Sequence, residues 1–208
     1  YTFFKVVLRA MSKDLMSALK FNLLRSMAVE HSPFDYVVAR DVISESVLKS
    51  INEDFPAITS PGSFPLETLK YGPALAKLNE ALRSDEMTQL MSHYFKVDLN
   101  DKPMVMTVRG WCRSRDGQIH CDSKEKIVTA LIYLNEGWEA KGGRLRLLRS
   151  ADNLEDYSVE IPPSAGTILA FRCTDHSWHG HKPFVGQRRS LQLNWVTNKR
   201  FVFRENIQ

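Results

Sequence analysis

The texture of the chain changes after Pro103. From there on, short apolar segments rich in β-branched and aromatic residues follow one another: MVMTVRGW, KIVTALIYLN, GRLRLL, YSVEIP, GTILAF and SLQLNWV. Stretches holding glycine, proline, asparagine or aspartate separate them. Each segment has strand length, and the breaks come too often for helices. A series of this kind can bury its apolar faces by closing into an all-β sandwich or barrel. That constraint governs everything else in the sequence.

The preceding half reads differently. Residues 13–30, KDLMSALKFNLLRSMAVE, place Leu15, Leu19, Leu23 and Met27 at helical spacing and predict an amphipathic helix. FDYVVARDV (34–42) predicts a strand. SESVLKSINEDF predicts a helix capped by Ser44, with Val47, Ile51 and Phe55 on one face. Residues 56–73 carry Pro56, Pro61, Pro65 and Pro73 and read as a loop. Residues 74–95 return to helical periodicity through Leu75, Leu78, Leu82 and Met87. The expected fold class is therefore mainly β with N-terminal helices: one domain over 1–208, a helical buttress with at least one strand over 11–98, and a β core over 99–208.

At 208 residues the chain can bury a sizeable core without staples. Its net charge of +4 comes from basic residues scattered among acidic ones, which gives no nucleic-acid stripe. Three cysteines, Cys112, Cys121 and Cys173, show no CxxC spacing; an odd count argues for a reducing, cytoplasmic setting rather than a disulfide framework. No apolar run has membrane-spanning length, so no membrane partner is expected. The opening YTFFKVVLRA is apolar and basic but lacks a signal-peptide pattern, and Met11 is a candidate natural start.

Two segments carry chemistry. In QIHCDS (118–123), alternate side chains of an extended strand share a face, so His120 and Asp122 point together and Cys121 points away. In DHSWHGHKPF (175–184), three histidines, His176, His179 and His181, crowd within six positions. One of them joined to His120 and Asp122 makes two histidines and a carboxylate. That facial set leaves half of an octahedral metal's positions open and suits a non-haem Fe(II) oxygenase, whereas a structural zinc site fills all four. The turn RDGQ precedes the first segment. GQRRS, beyond the second, adds a pair of guanidiniums suited to gripping a carboxylate bidentately.

From about 104 to 197 these residues resemble the iron- and 2-oxoglutarate-dependent dioxygenases, in their prolyl-4-hydroxylase-like branch. The resemblance is carried by HCD (120–122), LIYLNEGWEAKGGRLRL (131–147), IPPSAGTILAF (161–171), SWHGH (177–181) and GQRRSLQLNW (186–195). It implies a double-stranded β-helix with the metal inside, and a substrate-hydroxylating oxidoreductase using Fe(II), 2-oxoglutarate and O2, with ascorbate as an accessory reductant. Succinate and CO2 are the co-products, and an unactivated C–H bond is hydroxylated. The implied metal ligands are His120, Asp122 and His179, since His179 precedes a glycine. Arg188, nine residues on, together with Tyr133 and Ser190, is implied for the co-substrate. His181 is the alternative ligand, and His176 is read into the loop. Counting back from Trp195 would put Arg189 in the pocket; the Arg-x-Ser pairing and the spacing after Gly186 favour Arg188.

The remaining residues have plainer readings. Trp138, Trp178 and Trp195 read as packing, Gly142 and Gly143 as a hairpin turn, Asp175 as a turn residue, and Cys121 and Cys173 as small hydrophobes. Arg113 and Arg115 stand at the mouth or on a solvated face. The substrate class is open between a peptidyl or free amino acid and another small molecule. The competing readings are a cupin-like metal hydrolase or isomerase and a non-catalytic barrel module.

Overall fold

The computed structural model describes residues 18–198. Four α-helices come first among these, α1 (Phe21–Arg25), α2 (Glu45–Glu53), α3 (Pro73–Leu82) and α4 (Asp85–Phe95), with strands β1 (Tyr36–Ala39) and β2 (Phe64–Pro65) between them. Seven strands follow: β3 (Met104–Cys112), β4 (Lys126–Tyr133), β5 (Leu145–Leu148), β6 (Tyr157–Ile161), β7 (Thr167–Arg172), β8 (His179–His181) and β9 (Gly186–Val196). They pair antiparallel in a six-stranded sheet of order β1-β7-β4-β9-β3-β2 and a three-stranded sheet of order β6-β5-β8. This is a double-stranded β-helix.

The two faces of the large sheet do different work, and the period of two along each strand sets them apart. On β4, Val128, Ala130 and Ile132 face the helices; on β9, Leu191, Leu193 and Trp195 do the same. These join Leu75, Leu78 and Leu82 of α3 and Met87 and Met91 of α4 in one core. The Trp195 indole N–H also donates to Thr88 Oγ1 (3.4 Å), tying β9 to α4. The opposite face turns into the barrel. There Phe34, Tyr36, Leu169 and Phe171 pack against Leu145, Leu147 and Ile161 of the small sheet.

Several expected elements differ. The segment 1–17, with Leu15 and the opening ten residues, lies outside the described residues. Of the helix predicted over 13–30, residues 18–30 are described, and within them Phe21–Arg25 is helical; it stops where the Ser26 hydroxyl donates to the Leu23 carbonyl (2.7 Å) and competes with the helical ladder. The periodic stretch 74–95 is two helices, because Ser84 leaves the helical region and accepts the Met87 N–H (3.2 Å) as the cap of α4. The proline-rich loop contains β2, which pairs Phe64 with Val108 and Pro65 with Thr107. It lies at the sheet edge, where a proline costs no ladder bond. Gly142 and Gly143 do not turn a hairpin: they sit in the crossover from β4 to β5, which belong to different sheets. A Cβ on Gly142 would lie 2.1 Å from the Pro183 carbonyl oxygen, so this glycine exists for a close backbone approach.

Candidate metal centre

β8, a strand that the local sequence pattern does not predict, builds the centre. Its first residue, His179, forms an antiparallel bridge with His120, each backbone N–H donating to the other's carbonyl at 3.0 Å. The imidazoles of such a pair stand on the same side, and their centroids lie 4.4 Å apart. Asp122 joins them: ligand atoms of His120, Asp122 and His179 all fall within 4.8 Å of one another.

Hydrogen bonds fix which nitrogen each ring offers. Nδ1 of His120 meets the Gln118 carbonyl at 2.8 Å, and Nδ1 of His179 meets the Ser177 carbonyl at 2.9 Å. A carbonyl only accepts, so each Nδ1 carries the proton and each Nε2 keeps its lone pair for a metal. Burial pushes His179 down to about 4, against a pull upward from Asp122, so the ring is neutral and ready to ligate.

Asp122 is held on both oxygens. Lys126 Nζ donates to Oδ1 (2.9 Å) and Thr129 Oγ1 to Oδ2 (2.5 Å). Asn194 Nδ2 donates in turn to Thr129 Oγ1 (2.7 Å). Desolvation opposes ionisation, but Lys126, His179 and the Thr129 hydroxyl outweigh it and hold the carboxyl at about 2. Lys126, Thr129 and Asn194 were not singled out in the sequence. Thr129 was within reach of it, since it shares the inward face of β4 with Tyr133; nothing local marks Lys126 or Asn194.

The inward face of β9 carries Arg188, Ser190, Gln192 and Asn194 into a cavity of about 460 Å³ that also reaches the triad and Tyr133. Arg188 is buried. Its Nε donates to the Gly143 carbonyl (2.9 Å), its guanidinium lies 5.3 Å from the Tyr133 ring centroid, and it has no ion pair with a described residue. Tyr133 is fully buried and its hydroxyl makes no well-formed hydrogen bond. Desolvation raises its pKa while the nearby Arg188 charge opposes the rise. A buried cation without a counter-ion beside an orphaned phenol fits a carboxylate-bearing co-substrate. Arg189 points to the other face, donating to the Asn52 backbone and side chain at 3.1 Å and stacking on Phe55 at 4.9 Å.

The other candidates fall into place around this centre. His181 lines the cavity on β8 but stands outside the triad. Its Nδ1 meets the Lys182 carbonyl at 2.9 Å, and burial, with the Arg188 charge, pushes it down to about 4. His176 and Asp175 are exposed turn residues 3.5 Å apart. Burial and the Asp122 charge push the Cys173 thiol up to about 12, and burial raises Cys121, so neither offers a thiolate. Arg113 is engaged with Asp116 at 3.1 Å, whereas Arg115 lines the mouth. Ser63 is what the proline-rich loop contributes to the lining.

Residues 110–197 match the family described as the 2OG-Fe(II) oxygenase superfamily. No curated protein matches the chain in sequence. Among solved structures it is similar to a Pseudomonas putida prolyl-4-hydroxylase, with TM-score 0.57 and 17% identity over 86% of this chain and 92% of that one. It is also similar to a Trichoplax adhaerens prolyl hydroxylase solved with a hypoxia inducible factor peptide fragment, with TM-score 0.58 and 16% identity over 96% and 95%. A third is HygX from Streptomyces hygroscopicus, solved with nickel and 2-oxoglutarate, with TM-score 0.56 and 12% identity over 79% and 82%. Among the described residues no helix is long and apolar enough to cross a membrane. Sequence match and barrel agree over the segment that holds the triad: residues 110–197 match the 2OG-Fe(II) oxygenase superfamily, and the chain's fold is similar to that of the prolyl hydroxylases.

Proposed function

We propose that this chain is an Fe(II)- and 2-oxoglutarate-dependent dioxygenase in which His120, Asp122 and His179 hold the iron and Arg188, Tyr133 and Ser190 hold the co-substrate. The observation that carries the reading is the pairing of one open-sided triad with one buried guanidinium, without an ion pair among the described residues, in a single cavity. Bound iron and 2-oxoglutarate supply the oxidising chemistry, in which O2 is consumed, 2-oxoglutarate is decarboxylated to succinate and CO2, and an unactivated C–H bond is hydroxylated.

The protein's own residues orient and exclude. The bridge between His120 and His179 fixes both rings, and the two carbonyls behind them fix their tautomers. Thr129 and Lys126 set the carboxylate's position and keep it ionised. Arg188 and Tyr133 present donors deep in the barrel, where a distal carboxylate would be desolvated and the contacts strengthened. The substrate, a peptidyl or free amino acid or another small molecule, would enter by the mouth between β3 and the 114–118 turn. Succinate release that requires both 2-oxoglutarate and ferrous iron tests the reading, with loss of iron binding in His179→Ala and Asp122→Ala. Turnover under zinc with no succinate would replace it with the cupin-like alternative, whose first motif ordinarily offers more histidines than His120 alone.

A further inference from the structure

One charged group in the cavity has no task in that reaction. Arg109, on β3, lines the same cavity as Arg188 and sits opposite Ser190 in the β3–β9 ladder. Its one ionic contact with a described residue is Asp116 at 3.7 Å. That carboxylate is already committed, accepting the Arg113 backbone N–H at 2.8 Å and the Arg113 guanidinium at 3.1 and 3.3 Å. Arg115, exposed on the rim, has no hydrogen bond or ion pair with a described residue. Burial lowers the Arg109 pKa; Asp116 opposes that shift and the like charge of Arg188 adds to it. A single dicarboxylate occupies one guanidinium fork with its distal end, so Arg109 still faces the cavity without an anion of its own.

The rest of the wall is as hydrophilic. Thr107, Gln118 and Gln192 face the cavity, and Leu131 and Leu145 are its aliphatic side chains. Sites for apolar ligands are lined mainly by hydrophobic and aromatic groups, which this one is not. Arg109 also stands nearer the solvent than Arg188, with 32% of its side chain exposed, on the side from which a substrate would arrive.

We propose that Arg109, with Arg115 at the rim, forms an anion subsite that seats the carboxylate or phosphate of a small hydrophilic substrate beside the co-substrate on Arg188. The proposal rests on the oxygenase reading and gives it a substrate class.

The test uses the full chain loaded with Zn(II) and 2-oxoglutarate, both bindings being measured before anything else is added. Acetate and methyl phosphate are then titrated by saturation-transfer NMR, with acetamide and glycerol as their neutral counterparts. At least one anion should bind and neither neutral compound should; the preferred anion tells carboxylate substrates from phosphorylated ones. In Arg109→Gln the anion's affinity should fall at least fivefold, with partial recovery in Arg109→Lys, while 2-oxoglutarate affinity stays within twofold of wild type. Absence of anion binding, or binding unchanged in Arg109→Gln, overturns the proposal. So does a loss of 2-oxoglutarate matching that of Arg188→Gln, which would give Arg109 to the co-substrate. Wild-type protein that takes neither metal nor 2-oxoglutarate would sink the oxygenase reading instead, at the first step.

Discussion

The substitution Arg188→Gln separates a co-substrate anchor from a structural arginine, because the two roles predict changes of opposite sign. Nε of Arg188 is committed to the Gly143 carbonyl, and the rest of the guanidinium has no acidic partner among the described residues. If it grips the distal carboxylate of 2-oxoglutarate through two charge-assisted hydrogen bonds, each contributes ~1.5–3 kcal/mol. Losing both costs ~3–6 kcal/mol, a dissociation constant ~10²–10⁴-fold larger. Metal affinity should change little, since Arg188 touches none of the triad. Stability without ligands should hold or rise, because removing an uncompensated buried charge offsets the loss of one hydrogen bond to a backbone carbonyl. Calorimetric titration of 2-oxoglutarate into metal-loaded protein reads the first effect, and urea unfolding reads the second. Arg189→Gln is the control: it breaks the contacts to Asn52, should lower stability by about 1 kcal/mol, and should leave 2-oxoglutarate binding alone. An Arg188→Gln protein that binds the co-substrate within threefold of wild type would refute the assignment.

The same geometry yields three more expected outcomes. Thr129→Val removes the hydroxyl that links Asn194 to Asp122, so metal affinity should fall ~10–100-fold at unchanged 2-oxoglutarate dependence; an affinity within twofold of wild type would mean that Lys126 alone positions the carboxylate. Gly117→Ala puts a side chain at φ +83°, with its Cβ 2.4 Å from His181 Nδ1. The backbone strain alone is ~1–2 kcal/mol, which should lower Tm by ~2–8 °C, and a Tm matching wild type would show that the turn is free to move. The metal-free protein should lose stability as pH falls from 6.5 toward 4. His179 and His181 are each held down to about 4 when folded but titrate near 6.5 when unfolded, so the unfolded chain takes up protons across that window and the folded one does not. Each tenfold difference in proton affinity between the two states corresponds to ~1.36 kcal/mol. Urea midpoints that stay level over that range would count against buried neutral rings.

The residues proposed to hold the metal and the co-substrate were legible in the sequence, whereas those that hold them in place were not. His120 and Asp122 were paired by strand alternation, and Tyr133, His179, Arg188 and Ser190 by resemblance; the cavity gathers all six. Lys126 and Asn194 carry no such mark: Asn194 matters because β9 lies beside β4 in a register that brings it opposite Thr129. That is a relation between segments far apart in the chain, which no local pattern encodes. β8 escaped for a similar reason. Three residues with two imidazoles and a glycine have little strand propensity, and they are extended because β5 pairs with them on one edge and His120 on the other. The break between α3 and α4 hid behind an unbroken apolar stripe, since Leu82 and Met87 are both fully buried although Ser84 interrupts the helix.

The choice between Arg188 and Arg189 shows what the helical half contributes to the site. A slip of β9 by one residue would exchange every inward side chain for an outward one. Arg189 would then enter the barrel, Leu191, Leu193 and Trp195 would line a polar cavity, and Gln192 and Asn194 would press against helices. What forbids the slip is the apolar layer on the far face. Leu191, Leu193 and Trp195 are fully buried against the core that α3 and α4 complete, and the Trp195 indole is tied to Thr88. Exposing side chains of this size costs ~1.5–3 kcal/mol each, so ~4.5–9 kcal/mol for the three, against ~1.5–3 kcal/mol for one hydrogen bond to a charged group inside the barrel. The helices give no residue to the triad or to the cavity lining, yet by burying one face of β9 they determine which guanidinium stands behind the triad.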